Sequence, residues 1–518
     1  MTLHGKHIIG SETSDMDSGS FSAVNPATGQ SIHPAFPEAT EAEVNRAMMM
    51  AVEASGPMQA LPPEKIANFL DRIAEELLRV GDSLVQRANL ETALPGARLT
   101  GERARTVNQI KMFADLVREG SWVEARIDRA LPDRQPLPRP VLKRMLVPIG
   151  PVVVFGASNF PLAFSVAGGD TVSALAAGNP IVVKAHPAHP GTSEIAGRAI
   201  QSAVEAAGLP PGTFSLLHGC GNEVGLQLVR HPAAKAVAFT GSWQGGRALF
   251  DTAAGRPEPI PVFAEMGSTN PLFILPGALL GDPAALAKGL LQSVTLGVGQ
   301  FCTKPGLIFG VRAGAWESFQ ESVANMAQAS HMGTMLTSAI GERFNHGVAN
   351  ASKIPGVRTL AAAGATILAT DAAIFRQNKL LRDEMFGPAA LLITCEAAAD
   401  LEAIARGLPG QLTATIQGSA DDLAQNPNLI AVLQQKAGRL IFNGFPTGVE
   451  VCPAMHHGGP YPATTSQFTS VGTAAIARFT RPLCFQNFPD TALPAQLRNH
   501  NERKIWRLID GQFTKDDA

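Results

Sequence analysis

The sequence predicts an α/β protein made of two doubly wound parallel sheets plus an extended arm. Three observations point there. From residue 148 short β-branched runs alternate with Ala-rich helical stretches, the rhythm of βαβ units on a parallel sheet. Near Glu265 that rhythm restarts, which makes a second α/β unit. Before both lies a segment, 125–144, with four prolines and six basic residues, where no helix survives.

In chain order, the opening MTLHGKHIIGSETSD has no apolar core of the length a secretory signal needs. The first third then reads helical: Pro62-Pro63 opens a segment whose Ile66, Phe69, Leu70, Ile73 and Leu77 share one helical face, and Gly81 closes it. Residues 125–144 are a linker or an extended arm. The first sheet draws on 152–155, 181–183 and 236–239, with helices ending at Gly178 and Gly208. The second draws on PLFIL at 271–275, an amphipathic stretch over 283–296, and GLIFGV at 306–311. From Asp490 the tail is charged and polar, with Trp506 and Leu508 as docking anchors.

Composition narrows the function. The chain has 518 residues, 42 Lys plus Arg against 44 Asp plus Glu, and a net charge of −2, which offers no electrostatic case for nucleic acid or an anionic membrane. The longest uncharged stretch, 145–169, is broken by Pro148, Gly150, Pro151, Gly156, Pro161, Gly168 and Gly169, so it does not read as a membrane helix. The five cysteines, at 220, 302, 395, 452 and 484, form no CxxC pair, and neither a zinc knuckle nor a disulfide framework is expected. A cytoplasmic protein follows as the expectation.

Several residues could carry chemistry. Cys302 lies in GVGQFCTKPG, where flanking glycines allow a backbone to approach a ligand; a thiolate there would be a strong nucleophile toward a carbonyl, and a buried structural cysteine is the bland alternative. Glu265 ends the apolar run VFAE; partial burial would raise its pKa and suit it to act as a general base, whereas a surface salt bridge is the plainer role. Asn159 follows the strand 152–155 and could donate to an oxyanion or simply make a turn. The segment FTGSWQGG at 239–246 is strand, glycine turn and helix start, able to present N–H groups to a phosphate. Lys184 ends a strand and could reach a ribose or phosphate. His186, His189 and the pair His456-His457 are not expected to form a metal-ligand set, since adjacent histidines on a strand point to opposite faces.

In this order, Ser158-Asn-Phe-Pro161, Lys184, Phe239-Thr-Gly-Ser242 with Gly246, Glu265-Met-Gly267, Gly299-Gln-Phe-Cys302, Glu384-Met-Phe-Gly-Pro388 and Asn443 resemble the aldehyde dehydrogenase superfamily over residues 20–488. The resemblance implies the aldehyde dehydrogenase fold: an NAD(P)-binding domain from 1–124 and 148–262, a catalytic domain at 263–447, an oligomerisation arm from 125–147 and 468–487, and a C-terminal tail at 488–518. It implies Cys302 as nucleophile, Glu265 as base, and Asn159 with the Cys302 N–H as oxyanion hole. Lys184, His186, Gly221, Thr240, Gly241, Ser242, Gly246, Glu384 and Phe386 would bind the cofactor; Phe160, Phe301, Lys304 and Cys452 would face the substrate, with the alternatives that Lys304 points away from the tunnel and that Cys452 packs in the core, and Arg382 is a lesser candidate for a substrate carboxylate. No metal is implied. The reaction would run through a hemithioacetal and a thioester that Glu265-activated water hydrolyses.

Closer still is the similarity to α-ketoglutarate semialdehyde (2,5-dioxopentanoate) dehydrogenases of bacterial sugar-acid catabolism, carried by FGASNFPLAFSVAGGDTVSALAAG, VVKAHPAHPGTSEIAG and GVEVCPAMHHGGPYPATTS. NADP-dependent fatty aldehyde dehydrogenases share the KAHPAHPGTSE region and stand as the alternative. Pro187 occupies the position where many NAD-preferring relatives carry a ribose-binding Glu, so NADP should be accepted, beside NAD. A catalytically inactive structural relative would lack Cys302 or Glu265, and an acylating enzyme that passes its thioester to coenzyme A would lack the Glu; both residues are present. The resemblance also implies a homodimer or homotetramer.

Overall fold

The computed structural model describes residues 2–16 and 19–518. Its first sheet has seven strands. Five run parallel, in the order Val262–Glu265, Ala236–Thr240, Val152–Phe155, Ile181–Lys184 and Phe214–Leu217, and the hairpin His7–Ile9 with Glu12–Ser14 adds antiparallel strands at the far edge. The parallel strands are apolar and largely buried on both faces, as a sheet covered by helices on both sides requires. The helices Pro63–Arg79, Gly96–Glu119, Gly169–Ala176 and Pro190–Ala206 pack on one face, and Glu41–Gln59, Glu223–Arg230 and Trp243–Ala254 on the other.

A second seven-stranded sheet runs Arg358–Ala361, Thr366–Asp371, Ala389–Cys395, Leu307–Val311, Leu272–Ile274, Gln411–Gln417 and Ala437–Phe442, parallel but for its first strand. Val262–Glu265 belongs to the first sheet, so the second begins only at Leu272. Among the described residues no helix is long and apolar enough to cross a membrane.

Two readings of the sequence change. The helical first third is preceded by four short strands within residues 7–37, too brief for periodicity to mark. The tail is no separate appendage: Arg507–Ile509 and Gln512–Thr514 join Thr480–Gln486, Leu142–Pro148 and Arg126–Asp128 in one five-stranded sheet. Backbone pairing and a buried Arg507, whose guanidinium donates to the carbonyls of Arg498, Asn499 and Asp516, hold it there. Charge composition cannot show this, because the cation is satisfied by carbonyls. Trp506 stays half-exposed, and Leu493, Leu497 and Ile505 are the apolar anchors.

Candidate active site

Parallel register brings four of the residues singled out above to one edge. Phe155 pairs with Lys184 and Phe239, and Thr240 pairs with Glu265, so Asn159, Lys184, Ser242 and Glu265 all emerge at the carboxyl ends of the first sheet, where a doubly wound fold opens its crevice. The second sheet delivers Cys302 to the same place, on a loop built against backbone preference. Gly297, Val298 and Gly299 have φ of 57°, 59° and 66°, a run of left-handed residues that costs about 1–3 kcal/mol at the β-branched valine alone. Gly299 is required, since a Cβ there would lie 2.3 Å from the Gly387 carbonyl. Beyond the turn, Asn270 Nδ2 donates to the carbonyls of Cys302 (2.7 Å) and Lys304 (3.0 Å). Gln411 Oε1 accepts from the backbone N–H groups of Thr269 and Asn270 at 2.9 and 3.0 Å. The Cys302 loop is thus pinned on both sides.

At its centre three side chains converge. His457 Nε2 lies 3.4 Å from Cys302 Sγ and 3.1 Å from Glu265 Oε1, and the Ser470 hydroxyl donates to Glu265 Oε2 at 3.1 Å. His457 and Glu265 are buried, at 2% and 4% exposure. Burial pushes the Glu265 carboxyl up, but the neighbouring His457 and hydrogen bonds from His457, Cys302 and Ser470 more than offset it and hold the group below the usual carboxylate range. The expectation of a raised pKa is therefore corrected; the polar neighbours outweigh desolvation. Burial, then the Glu265 charge, push the Cys302 thiol well above its usual range, so in the free protein a thiol faces a carboxylate.

His457 is the residue the sequence reading missed. Segment 451–459 is not a strand, so the alternation argument does not apply, and the flanking Pro453, Gly458 and Gly459 were the signal for a loop. His457 joins Glu265 and Cys302 in a cluster whose donor atoms all lie within 4.8 Å of one another.

Around the trio, Asn159 Nδ2 donates to the Gln300 carbonyl at 2.9 Å and keeps a second hydrogen. Phe160 and Phe301 meet edge to face at 5.1 Å, and Arg98 sits over both rings. Arg105 packs over Phe164, which in turn lies beside His457. Its Nη1 is buried with no hydrogen-bond partner among the described residues, and the charges acting on it include Glu102 first, then Cys302.

A cleft of about 1870 Å³ runs from this centre across the carboxyl ends of the first sheet, larger than the ~300–1,000 Å³ of a drug-sized pocket. Asn159, Phe160, His186, Pro187, Thr240, Gly241, Ser242, Glu265, Cys302, Glu384 and Phe386 line it. Two features fit a nicotinamide dinucleotide. Glu384 Oε1 is buried without a partner among the described residues, as an acceptor awaiting a ribose hydroxyl would be. Ser242 caps the helix Trp243–Ala254 through Gly245 N at 3.2 Å, leaving an amide-lined turn at the cleft for an anion.

The other expected site residues are engaged in different ways. Lys304 does not face the substrate: it is 1% exposed, and its Nζ donates to the carbonyls of Met385 (3.1 Å) and Ala389 (2.7 Å). Those acceptors satisfy the ammonium away from the cleft. Lys184 is buried with Nζ on the Gly219 carbonyl, and burial, against Glu38, brings its pKa down to about 8. Gly246 is a packing position, where a Cβ would lie 2.5 Å from Met266 Cγ. Gly221 lies between the cleft-lining Cys220 and Asn222. Cys452 is half-buried, its carbonyl near Gly472. Arg382 lines the cleft but donates to the carbonyls of Arg376 and Gly407.

A thiol, a carboxylate and an amide donor beside a dinucleotide-sized cleft are consistent with an oxidoreductase of carbonyl substrates. Residues 13–480 match the model of the aldehyde dehydrogenase family, and the chain belongs to that family, acting on aldehydes with a nicotinamide cofactor. It is 48% identical to α-ketoglutaric semialdehyde dehydrogenase 2 of Azospirillum brasilense over 523 residues, 99% of this chain and 100% of that one. It is 42% identical to α-ketoglutaric semialdehyde dehydrogenase of Acinetobacter baylyi, covering 99% of each. Among solved structures, an NAD+ complex of an aldehyde dehydrogenase from Bacillus cereus superposes with a TM-score of 0.79 at 21% identity, covering 93% of this chain and 96% of that one.

Proposed function

We propose that the chain oxidises α-ketoglutarate semialdehyde to 2-oxoglutarate through a Cys302 thioester, with NADP or NAD. The convergence of Cys302, His457 and Glu265 within hydrogen-bond reach carries the chemistry. The Cys302 thiol passes its proton to the ionised Glu265, directly or through His457, and Sγ adds to the aldehyde. The second hydrogen of Asn159 Nδ2 and the Cys302 N–H hold the oxyanion. When bound, the cofactor supplies the hydride acceptor; Glu384 would hold a ribose and the Ser242 turn the pyrophosphate. Glu265 gives the Cys302 proton up to solvent, then takes a proton from the water that hydrolyses the thioester and returns it to the leaving Cys302 sulfur.

The substrate reading draws on the two full-length relatives named for this semialdehyde and on Arg105. A desolvated guanidinium with a free N–H suits the substrate's terminal carboxylate, the role Lys304 cannot fill. His186, Pro187 and Asn222 line the far end of the cleft, and Pro187 brings no carboxylate against a 2′-phosphate, which supports use of NADP. A homodimer or homotetramer would form through Thr480–Gln486, an edge strand paired on one side only.

Cofactor reduction measured with α-ketoglutarate semialdehyde, succinate semialdehyde and a long-chain aldehyde, each with NAD and NADP, tests this. The dioxo acid should show the highest kcat/KM. A preference for the long-chain aldehyde would overturn the substrate, and no turnover of NADP would overturn the Pro187 argument.

A further inference from the structure

We propose that Cys302, His457 and Glu265 form a zinc site, so that a thiophilic divalent cation reversibly silences the enzyme by occupying its catalytic trio. The proposal rests on the geometry of the three side chains and is independent of the substrate. A tetrahedral zinc with bonds of about 2.3 Å to sulfur and about 2.0–2.2 Å to nitrogen and oxygen holds its ligand atoms roughly 3.3–3.6 Å apart. The separations here are 3.4 Å between Sγ and Nε2 and 3.1 Å between Nε2 and Oε1, with the third no longer than 4.8 Å. Two of the three edges need only a few tenths of an ångström.

The donor set also suits the metal. A thiolate, an imidazole nitrogen and a carboxylate together favour zinc over the hard cations magnesium and calcium. The supporting contacts are already present. Ser470 Oγ fixes the second carboxylate oxygen, the kind of outer contact that orients a metal-binding carboxylate, and the His457 backbone N–H donates to Thr469 Oγ1 at 2.7 Å, which anchors its loop. Cys302 and Glu265 both line the cleft, so a fourth position is open to water. On binding, the Cys302 S–H bond breaks as the S–Zn bond forms, and the proton leaves to solvent. The bound thiolate can then no longer add to an aldehyde.

Cobalt(II) is the probe. Titrated into the full-length, chelator-washed protein, it should give a sulfur-to-cobalt charge-transfer band and tetrahedral d–d bands at one ion per chain, and zinc should bleach both. Zinc should inhibit turnover and EDTA restore it. His457→Gln should weaken cobalt binding about tenfold or more, since even outer-contact losses cost that much, and Cys302→Ser, close in shape, should abolish the charge-transfer band. The exposed Cys220 and Cys484 are competing thiols, and Cys220→Ser/Cys484→Ser should keep the full signal. Absence of the charge-transfer band, its loss in the Cys220/Cys484 variant, or unchanged cobalt affinity in folded His457→Gln protein would overturn the site.

Discussion

Glu384 offers the sharpest test of the cofactor site, because its ionisation is tied to its position. Burial drives its carboxyl up, against the Lys304 charge and a hydrogen bond from the Ser268 backbone, to about 7. Gly267 makes that position available: its φ is 101°, and a Cβ there would collide with Glu384 Oε2. If Glu384 accepts hydrogen bonds from ribose hydroxyls, only the carboxylate does so fully. Between pH of about 6 and about 8 the ionised fraction of such a group rises roughly tenfold, equivalent to about 1.4 kcal/mol of binding. The Kd for NAD, measured by calorimetry, should therefore fall about tenfold over that window in the wild type and stay flat in Glu384→Gln. NAD is the ligand to use, since it lacks the titrating 2′-phosphate. Stability gives a second reading with its own sign. The folded pKa lies above the ordinary 4.5, so the contribution of the protonated carboxyl is complete below that value and is lost as pH rises through about 7. At alkaline pH the charged form is the burdened one, and Glu384→Gln should be the more stable protein by up to roughly 3 kcal/mol. Equal slopes of Kd against pH in the two proteins would refute the ribose role; equal stability at alkaline pH would refute the buried carboxyl.

Other consequences are simpler to read. Cys302→Ala should abolish turnover while the Kd for NAD is unchanged, and Glu265→Gln, which removes the acceptor of the Cys302 proton as well as the base for water, should slow the burst of reduced cofactor and leave what forms stalled as a thioester seen by intact mass. His457→Gln removes a hydrogen-bonding partner of a charged group, worth about 1.5–3 kcal/mol, so kcat should drop roughly 10–150-fold with little change in cofactor affinity; an undiminished kcat would remove His457 from proton transfer. Arg105→Gln should raise KM for the dioxo acid by a similar factor and leave a short neutral aldehyde unaffected; equal effects on both would show that Arg105 only packs against Phe164. Gly299→Ala should lower the melting temperature and the yield of reactive thiol together, because its methyl must displace the Gly387 backbone.

What could be read from the chain follows from which forces are local. The strands Val152–Phe155 and Ile181–Lys184 are apolar runs, the second closed by its lysine, and the helix Pro63–Arg79 buries the same stripe that its spacing marks. Such periodicity is written residue by residue. That Cys302 and Glu265 meet at one cleft follows glycine-bearing segments ordered along a family pattern. How the tail docks is not legible, because short strands and a carbonyl-satisfied Arg507 leave no periodic trace. The direction of Lys304 is not written near it: a lysine two residues from Cys302 can face the cleft or turn away, and Met385 and Ala389, some eighty residues on, decide it.

The hidden features share a cause. His457 is separated from Glu265 by 192 positions and from Cys302 by 155, and no spacing rule reaches so far. Its placement depends on Thr469 and Ser470 holding its backbone, and those contacts exist only once the loop after the second sheet has folded back over the first. The same long-range closure fixes the ionisation of the site. Desolvation alone would make Glu265 a weak acid, as the sequence suggests, but the fold surrounds it with an imidazole, a thiol and a hydroxyl, and the balance reverses. Composition and spacing identify which groups can react; the crossing of two distant loops decides which of them holds the proton.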